Sequence, residues 1–276
     1  MQNHLKKLQE LLADIGPVAV AVSGGVDSMT LAVVAHRADS RTKIFHAISP
    51  AVPVQATDRV RRYAEQESWQ LHEVDAGEIN DPKYVENPAN RCYYCKTNLY
   101  DTVCDHTELV VVSGTNTDDL GDYRPGLIAA EEHKVRHPYV EVDISKQILR
   151  DIAKSLGLED LHDLPAAPCL SSRVATGIAI DPALLPVIDE AENRLWETLQ
   201  LYLPIKGVRC RVRHEVVAVE IETPNEINDD ADYAHEARAL VREVFSRNGC
   251  DAYAKAVVVE PYRRGSAFLI DTLEVQ

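Results

Sequence analysis

The stretch Val18-Ala19-Val20-Ala21-Val22-Ser23-Gly24-Gly25-Val26-Asp27-Ser28 decides how the first half of the chain folds. Five consecutive small or β-branched apolar residues read as a strand buried on both faces, the pattern of a parallel sheet. Two adjacent glycines then let the backbone turn tightly and approach a ligand closely. Residues 28–37 read as an apolar helix, whose start presents free N–H groups and the positive end of its dipole to an anion. Ser23 and Ser28 can add hydroxyl hydrogen bonds, and Asp27 can either help hold Mg²⁺ or cap the helix. No Gly-Lys-Ser/Thr ending follows, which disfavours a Walker-type loop. An ordinary strand–helix turn is the competing reading; the full Ser-Gly-Gly-Val-Asp-Ser run in this setting favours pyrophosphate binding.

Outward from this loop, short β-rich runs alternate with helical ones as far as Gly157. Residues 44–48, 71–74 and 109–113 read as further strands, 58–68 and 145–156 as helices, and 5–15 as a leading helix. Near-continuous apolar strands between amphipathic helices imply a parallel sheet covered on both faces, and such sheets bind ligands at the carboxyl ends of their strands. After Gly157 the grammar changes. A loop-rich stretch with Pro165, Pro168 and Gly177 leads to a helix at 182–199 and two closely spaced strands at 208–212 and 216–222. A helix at 232–247 and a last strand pair at 256–260 and 267–271, around Arg264-Gly265, complete the pattern. The expected fold class is α/β: a parallel sheet with helices on both faces in residues 1–160, followed by a smaller α+β domain in residues 161–276.

The chain of 276 residues is long enough to bury a sizeable core. Apolar residues at 45% and charged residues at 26% match soluble globular proteins and exclude extensive disorder. No apolar run approaches the roughly 18–20 residues of a membrane span. The first residues, Met-Gln-Asn-His-Leu-Lys-Lys, have no apolar signal core behind their charges, so the expected location is the cytoplasm. With 29 Lys and Arg against 44 Asp and Glu, the net charge of −15 argues against a nucleic-acid partner, which needs a broad basic surface. A small anion in a local basic pocket remains compatible with it.

Six cysteines in such a chain point to metal binding, catalysis or plain burial rather than to disulfides. Asn90-Arg91-Cys92-Tyr93-Tyr94-Cys95-Lys96 holds a C-x₂-C pair, whose thiolates can ligate one metal or cluster with further ligands from elsewhere. A redox pair or two buried thiols are the alternatives. In Pro165-Ala-Ala-Pro168-Cys169-Leu-Ser171-Ser172-Arg173 the prolines stiffen the loop, and Arg173 is placed to lower the thiol pKa or hold an anion. Taken alone, Cys169 reads as a buried thiol more readily than as a reactive one. Cys104, Cys210 and Cys250 have no partner spacing and are expected in the core.

Arg209, Arg211 and Arg213 share one face of their strand, with Cys210 and Val212 on the other. Three guanidinium groups at alternate positions repel one another unless an anion or carboxylates lie among them. A turn at His214-Glu215 sets Arg213 opposite Val216, Arg211 opposite Ala218 and Arg209 opposite Glu220. Arg209–Glu220 then reads as a structural pair, leaving Arg211 and Arg213 as candidates for a substrate phosphate. Glu220 and Glu222 also share a face and are candidates for binding a metal or the arginines. Gly114-Thr115-Asn116 follows a strand, which puts Asp118 and Asp119 near the sheet's carboxyl edge, as nucleotide or Mg²⁺ contacts or as solvated loop acids. Arg124 either faces the triphosphate or braces the loop.

The Ser23–Ser28 run resembles the PP-loop of the N-type ATP pyrophosphatases, an adenine nucleotide alpha hydrolase-like fold that binds ATP and adenylates an acceptor. Asn90–Lys96, Gly114–Asp119, Asp122–Gly126, Pro165–Arg173 and Val208–His214 follow in order, and together they resemble the LarE family of ATP-dependent sulfur transferases. That resemblance implies adenylation of the carboxylates of pyridinium-3,5-biscarboxylate mononucleotide and their conversion to thiocarboxylates, with ATP and Mg²⁺ as cofactors. It implies ATP contacts from Ser23, Gly24, Gly25, Asp27, Ser28, Gly114, Asp118 and Arg124, and substrate contacts from Arg173, Arg211 and Arg213. In one branch of the family the cysteine matching Cys169 gives up its own sulfur and becomes dehydroalanine. In another, the equivalents of Cys92, Cys95 and Cys169 hold a [4Fe-4S] cluster that carries an extra sulfide, and the three cysteines here resemble that branch. The resemblance further implies a ring-like homo-oligomer, with a hexamer expected, and a downstream nickel-insertion enzyme. A PP-loop tRNA thiolase is the competing enzyme class, disfavoured by the acidic balance. An ammonia-using ligase gives no role to three cysteines, and a nucleotide- or cluster-binding sensor is the non-enzymatic alternative.

Overall fold

The computed structural model describes residues 2–121, 124–165, 168–214 and 216–263. Alternating apolar residues organise the first sheet. Val18, Val20 and Val22 of β1 (Val18–Val22) enter one buried cluster, while Ala19 and Ala21 enter a second on the opposite face. A strand covered on both sides is the setting that favours parallel neighbours. β2 (Lys43–Ala47), β3 (Gln70–Val74) and β4 (Val110–Ser113) join it in the order β3-β2-β1-β4, and every pairing is parallel. The chain winds outward through β2 and β3, then returns to the far side of β1 as β4. That reversal leaves a crevice between the carboxyl ends of β1 and β4, where open α/β sheets bind ligands.

Helices cover the sheet. α1 (Gln2–Ile15), α2 (Val26–Ala38) and α3 (Val54–Glu67) precede β3, and the single-turn α4 (Pro82–Val85) and the long α5 (Arg91–His106) precede β4. α6 (Pro125–Glu132), α7 (Pro138–Glu141), α8 (Lys146–Ser155) and α9 (Glu159–His162) follow it. α2 is buried almost all round, from Val26 through Ala35, as expected of a helix packed between a sheet and other helices. Leu8, Leu12, Met29, Leu31, Leu149 and Ile152 fill one face, and Phe45, Tyr100, Val103 and Ala129 the other. Each fully buried large apolar side chain contributes about 1.5–3 kcal/mol. The expected strands and the helices at 5–15, 28–37, 58–68 and 145–156 are all present with small shifts of boundary; α4, α5, α6, α7 and α9 are additional, and α5 carries Cys92 and Cys95.

The later elements are α10 (Leu184–Leu199), β5 (Gly207–Arg213), β6 (Val216–Glu222), α11 (Asp232–Arg247) and β7 (Ala256–Pro261). β5 and β6 form the expected antiparallel hairpin, in the expected register. β7 lies beside β6 and runs parallel to it. The connection carrying α11 allows this, because a parallel neighbour requires a long crossover. The expected partner strand at 267–271 and the turn at Arg264-Gly265 lie outside the described residues.

The chain divides into two compact units, Met1–Tyr84 with Asn90–Ala167, and Val85–Ala89 with Pro168–Gln276. The short strap Val85–Ala89 is tied into the second unit by Asn87, which is fully buried and in the left-handed region at φ 54°. Its side-chain amide donates to the carbonyls of Val174, Ala175 and Ile178, and its own carbonyl accepts from Gly177. Among the described residues, no helix is long and apolar enough to cross a membrane.

Candidate functional site

The loop after β1 is shaped by main-chain geometry. Gly24 adopts φ +78°, and a Cβ there would stand 2.7 Å from the Ala56 carbonyl oxygen, so glycine is required on both counts. Gly25 is the residue before α2, and no side chain caps that helix end. The first N–H groups of α2 thus meet the loop without a capping oxygen, as an anion site needs. Ser28 accepts the Ser23 N–H on its Oγ at 3.0 Å, and the two hydroxyls are 3.3 Å apart. Arg59 of α3 donates to the Gly24 carbonyl at 2.8 Å.

The β4 side closes on the same helix end. Gly114 packs so tightly that a Cβ would come within 2.7 Å of the Ser28 nitrogen. The Asp27 carboxylate accepts from the Asn116 amide at 3.3 Å and from the Lys146 ammonium at the start of α8. Buried Tyr139 donates to the Asp27 carbonyl at 3.0 Å, and burial followed by the charge of Asp27 pushes its phenol well above the ordinary value. Asp118 is exposed and accepts the Lys146 N–H, whereas Asp119 accepts the Asn116 N–H and pairs with Arg124 at 2.8 Å. Arg124 therefore braces this loop through Asp119, one of its two expected roles. Lys146, Arg59 and Tyr139 were not apparent from the sequence, because each reaches the loop from a distant element outside any recognisable motif; Asn116 lay within the Gly114–Asp119 motif, but with no role assigned to it.

Cys92 and Cys95 occupy the first turn of α5, and their i, i+3 spacing sets them on one helix face. Gly126, at the start of α6, lies against the Cys92 carbonyl and the Lys96 side chain. Cys169 belongs to the second unit and immediately precedes a 3₁₀ turn, Leu170–Arg173. All three thiols are partly exposed and outside any disulfide. Cys210 and Cys250 are buried as expected; Cys104 is instead exposed on α5. Among the described residues, no group of three or more His, Cys, Asp or Glu is arranged to hold a metal ion.

Arg173 is buried and is engaged by Glu192 through two 2.8 Å bonds, while its remaining nitrogen donates to the Pro168 carbonyl at 2.8 Å and to Ser172 Oγ at 3.0 Å. Glu192 also accepts the Cys210 N–H at 2.8 Å. This arginine holds the Cys169 loop from within and is not turned out toward a ligand.

The expectation that Arg211 and Arg213 lack carboxylates is overturned. Arg211 is buried, meets both oxygens of Glu220 at 2.9 and 3.1 Å, and donates to the Ser172 carbonyl. Arg213 bonds Glu220 at 3.1 Å and Glu260 of β7 at 2.6 Å, and remains 29% exposed. The register is as expected, with Arg209 opposite Glu220, but Arg211 reaches Glu220 two residues along from its own partner Ala218, and Arg213 reaches it four residues along from Val216. Glu220 is thereby committed to the arginines, which removes it as a free metal ligand. Glu222, at the end of β6, is exposed.

A parallel sheet flanked by helices, a Ser-Gly-Gly-Val-Asp-Ser loop at its switch point and a smaller mixed sheet define a PP-loop α/β protein with a small second domain. No protein-family model matches the chain. The uncharacterized protein slr1717 of Synechocystis sp. is 35% identical over 232 residues, 82% of this chain and 83% of that protein. The uncharacterized protein MJ0830 of Methanocaldococcus jannaschii is 30% identical over 210 residues, 74% of this chain and 77% of that protein. The pyridinium-3,5-bisthiocarboxylic acid mononucleotide synthase of Lactiplantibacillus plantarum is 26% identical over 216 residues, 76% of each chain. The chain belongs to the family of slr1717 and MJ0830.

Proposed function

We propose that this protein is an ATP-dependent sulfur transferase that converts the carboxylates of pyridinium-3,5-biscarboxylate mononucleotide into thiocarboxylates for a nickel-pincer nucleotide. The observation that carries this reading is the anion-ready loop at the switch point, in a chain similar to a protein named as the bisthiocarboxylic acid mononucleotide synthase. Ser23, Gly24, Gly25 and Ser28 bind the phosphates of ATP, with Gly114 permitting the close approach of β4. Asp27 would hold Mg²⁺ on exchanging its contact with Lys146 for the metal, and Asp118 and Arg124 border the nucleotide. A substrate carboxylate oxygen attacks the α-phosphorus, the bond to the β-phosphate oxygen breaks, and pyrophosphate leaves. A sulfur nucleophile then attacks the activated carbon, and AMP departs with the original oxygen. Arg213, the partly exposed guanidinium of β5, takes the substrate phosphate, while Arg211 and Arg173 hold the strand and the Cys169 loop that frame it.

By the resemblance, Cys92, Cys95 and Cys169 would hold a [4Fe-4S] cluster, and thiols are the soft donors that such a cluster takes. When bound, such a cluster supplies an open iron position able to carry an extra sulfide. A second reading makes Cys169 the donor itself, as in the other branch of the resembled family. Its Cβ–S bond then breaks with loss of the Cα proton, leaving dehydroalanine. The same proposal makes the protein a cytoplasmic homo-oligomer, a hexamer by resemblance, that passes its product to a nickel-insertion enzyme.

Anaerobic purification with iron and sulfide analysis, followed by turnover with ATP and substrate and mass spectrometry of protein and product, tests both readings. The proposal expects pyrophosphate, AMP and a thiocarboxylate product. Bound iron with an intact Cys169 supports the cluster; no iron and a chain lighter by one H₂S supports the sacrificial route. Absence of pyrophosphate release with this substrate overturns the function.

A further inference from the structure

The peptide group that launches the phosphate loop, Val22–Ser23, is held at both of its polar ends. Its N–H, on Ser23, donates to Ser28 Oγ at 3.0 Å. Its C=O, on Val22, lies 3.0 Å from Nδ1 of His46, the residue paired with Val22 in the β1–β2 register. A carbonyl can only accept, so Nδ1 carries the proton. Nε2 lies 3.0 Å from Thr57 Oγ1 of α3, which places an acceptor nitrogen against a hydroxyl donor and fixes the tautomer. His46 is 1% exposed, so both partners are its permanent company. The same segment of α3 grips the next part of the loop, with Ala56 packed against Gly24 and Arg59 on the Gly24 carbonyl.

We propose that His46, braced by Thr57, is a positioning residue that orients the Val22–Ser23 peptide and so preorganises the phosphate loop for ATP. It touches no nucleotide; it acts through the peptide plane that aims Ser23 and Gly24. A misaligned loop must be reordered at the moment of binding, and that cost appears as lost affinity. Burial pushes the imidazole below its ordinary value, so it stays neutral at physiological pH. The charged groups acting on it are Glu73 of β3, which opposes that shift, and Arg61 of α3, which reinforces it; these two are paired with each other at 2.6 Å. The neutral native imidazole costs folding stability as pH falls below the ordinary value of 6.5, where the unfolded chain takes up the proton first, while the loop contact itself changes only below the depressed native value.

This inference rests on the proposed ATP-binding role, and binding calorimetry with ATP and with inorganic pyrophosphate separates the two. Wild-type protein that binds neither overturns the functional reading and the inference with it. If wild type binds, H46L is expected to lose about tenfold or more in affinity for both, the worth of one buried hydrogen bond acting through the loop. H46N keeps a donor near the Nδ1 position and should recover most of that loss. Its stability in urea unfolding should also lack the loss that wild type is expected to show as pH falls below 6.5. T57V, a smaller change on the far side of the ring, should lose a few-fold. Circular dichroism confirms that each variant is folded, and T57V serves if H46L is not. Wild-type affinity and an unchanged pH profile in the folded variants refute the positioning role while leaving ATP binding intact.

Discussion

In the phosphate loop the polar groups are mainly peptide units and hydroxyls, and the helix end they surround has no side-chain cap. On β5, full charges lie at alternate positions and are met by carboxylates, Arg211 by Glu220 and Arg213 by Glu220 and Glu260. Both regions handle charge, but the first leaves peptide donors open at a helix end while the second meets its guanidinium groups with carboxylates of its own. A preorganised set of main-chain donors gains little from the protein itself and much from an anion. A buried guanidinium already matched to a carboxylate gains little from a ligand, and its removal leaves an uncompensated charge. Arginine density alone is therefore a poor guide to a phosphate site. The partial exposure of Arg213 carries more information than the three-arginine pattern that drew notice to it.

The sharpest way to break this contrast is to strip the carboxylates from the second unit. E220A and E192A should each cost about 3–5 kcal/mol in urea unfolding, because each strands a buried guanidinium. The double variant R211M/E220L should recover most of the E220A loss; a loss of less than about 1 kcal/mol in E220A would show that the network is not buried in solution. On the loop side, G114V forces a side chain against the Asp27 and Ser28 backbone, which cannot yield as a flexible side chain would. It should cost about 1–3 kcal/mol in thermal unfolding and abolish ATP binding by calorimetry. Retained ATP affinity in G114V would refute the close approach of β4 as a requirement. The smallest effect belongs to an ion pair outside both regions. R37A breaks the solvent-facing contact with Glu67 and should change stability by less than about 1 kcal/mol, falling further at high salt.

Much of this architecture was legible because hydrophobic periodicity reports which faces are covered. Val18–Val22 announced its own burial, and the hairpin register of β5 and β6 followed from turn length. What that reading lacked was side-chain reach, since Cα register places Arg211 opposite Ala218 while its guanidinium travels to Glu220. α5 escaped notice for a different reason. Its buried face is held by Arg91, Tyr100 and Val103 rather than by a regular apolar stripe, and the C-x₂-C pair drew the reading toward metal chemistry. The loop's supporting cast was hidden for a third reason, sequence distance. Nothing local marks Lys146 as a partner of Asp27 or His46 as a partner of Val22.

The Val85–Ala89 strap has a consequence for how this protein can be taken apart and how its gene can have been assembled. Because a few residues from ahead of Cys92 complete the second unit through Asn87, that unit is not one contiguous stretch of coding sequence. A fragment starting at Pro168 omits the amide that organises the turn from Val174 to Ile178, and a fragment ending before it carries a strap with nowhere to dock. Recombination at a single breakpoint near residue 167 would damage both products. A transplant of the second unit must therefore carry Val85–Ala89 with it.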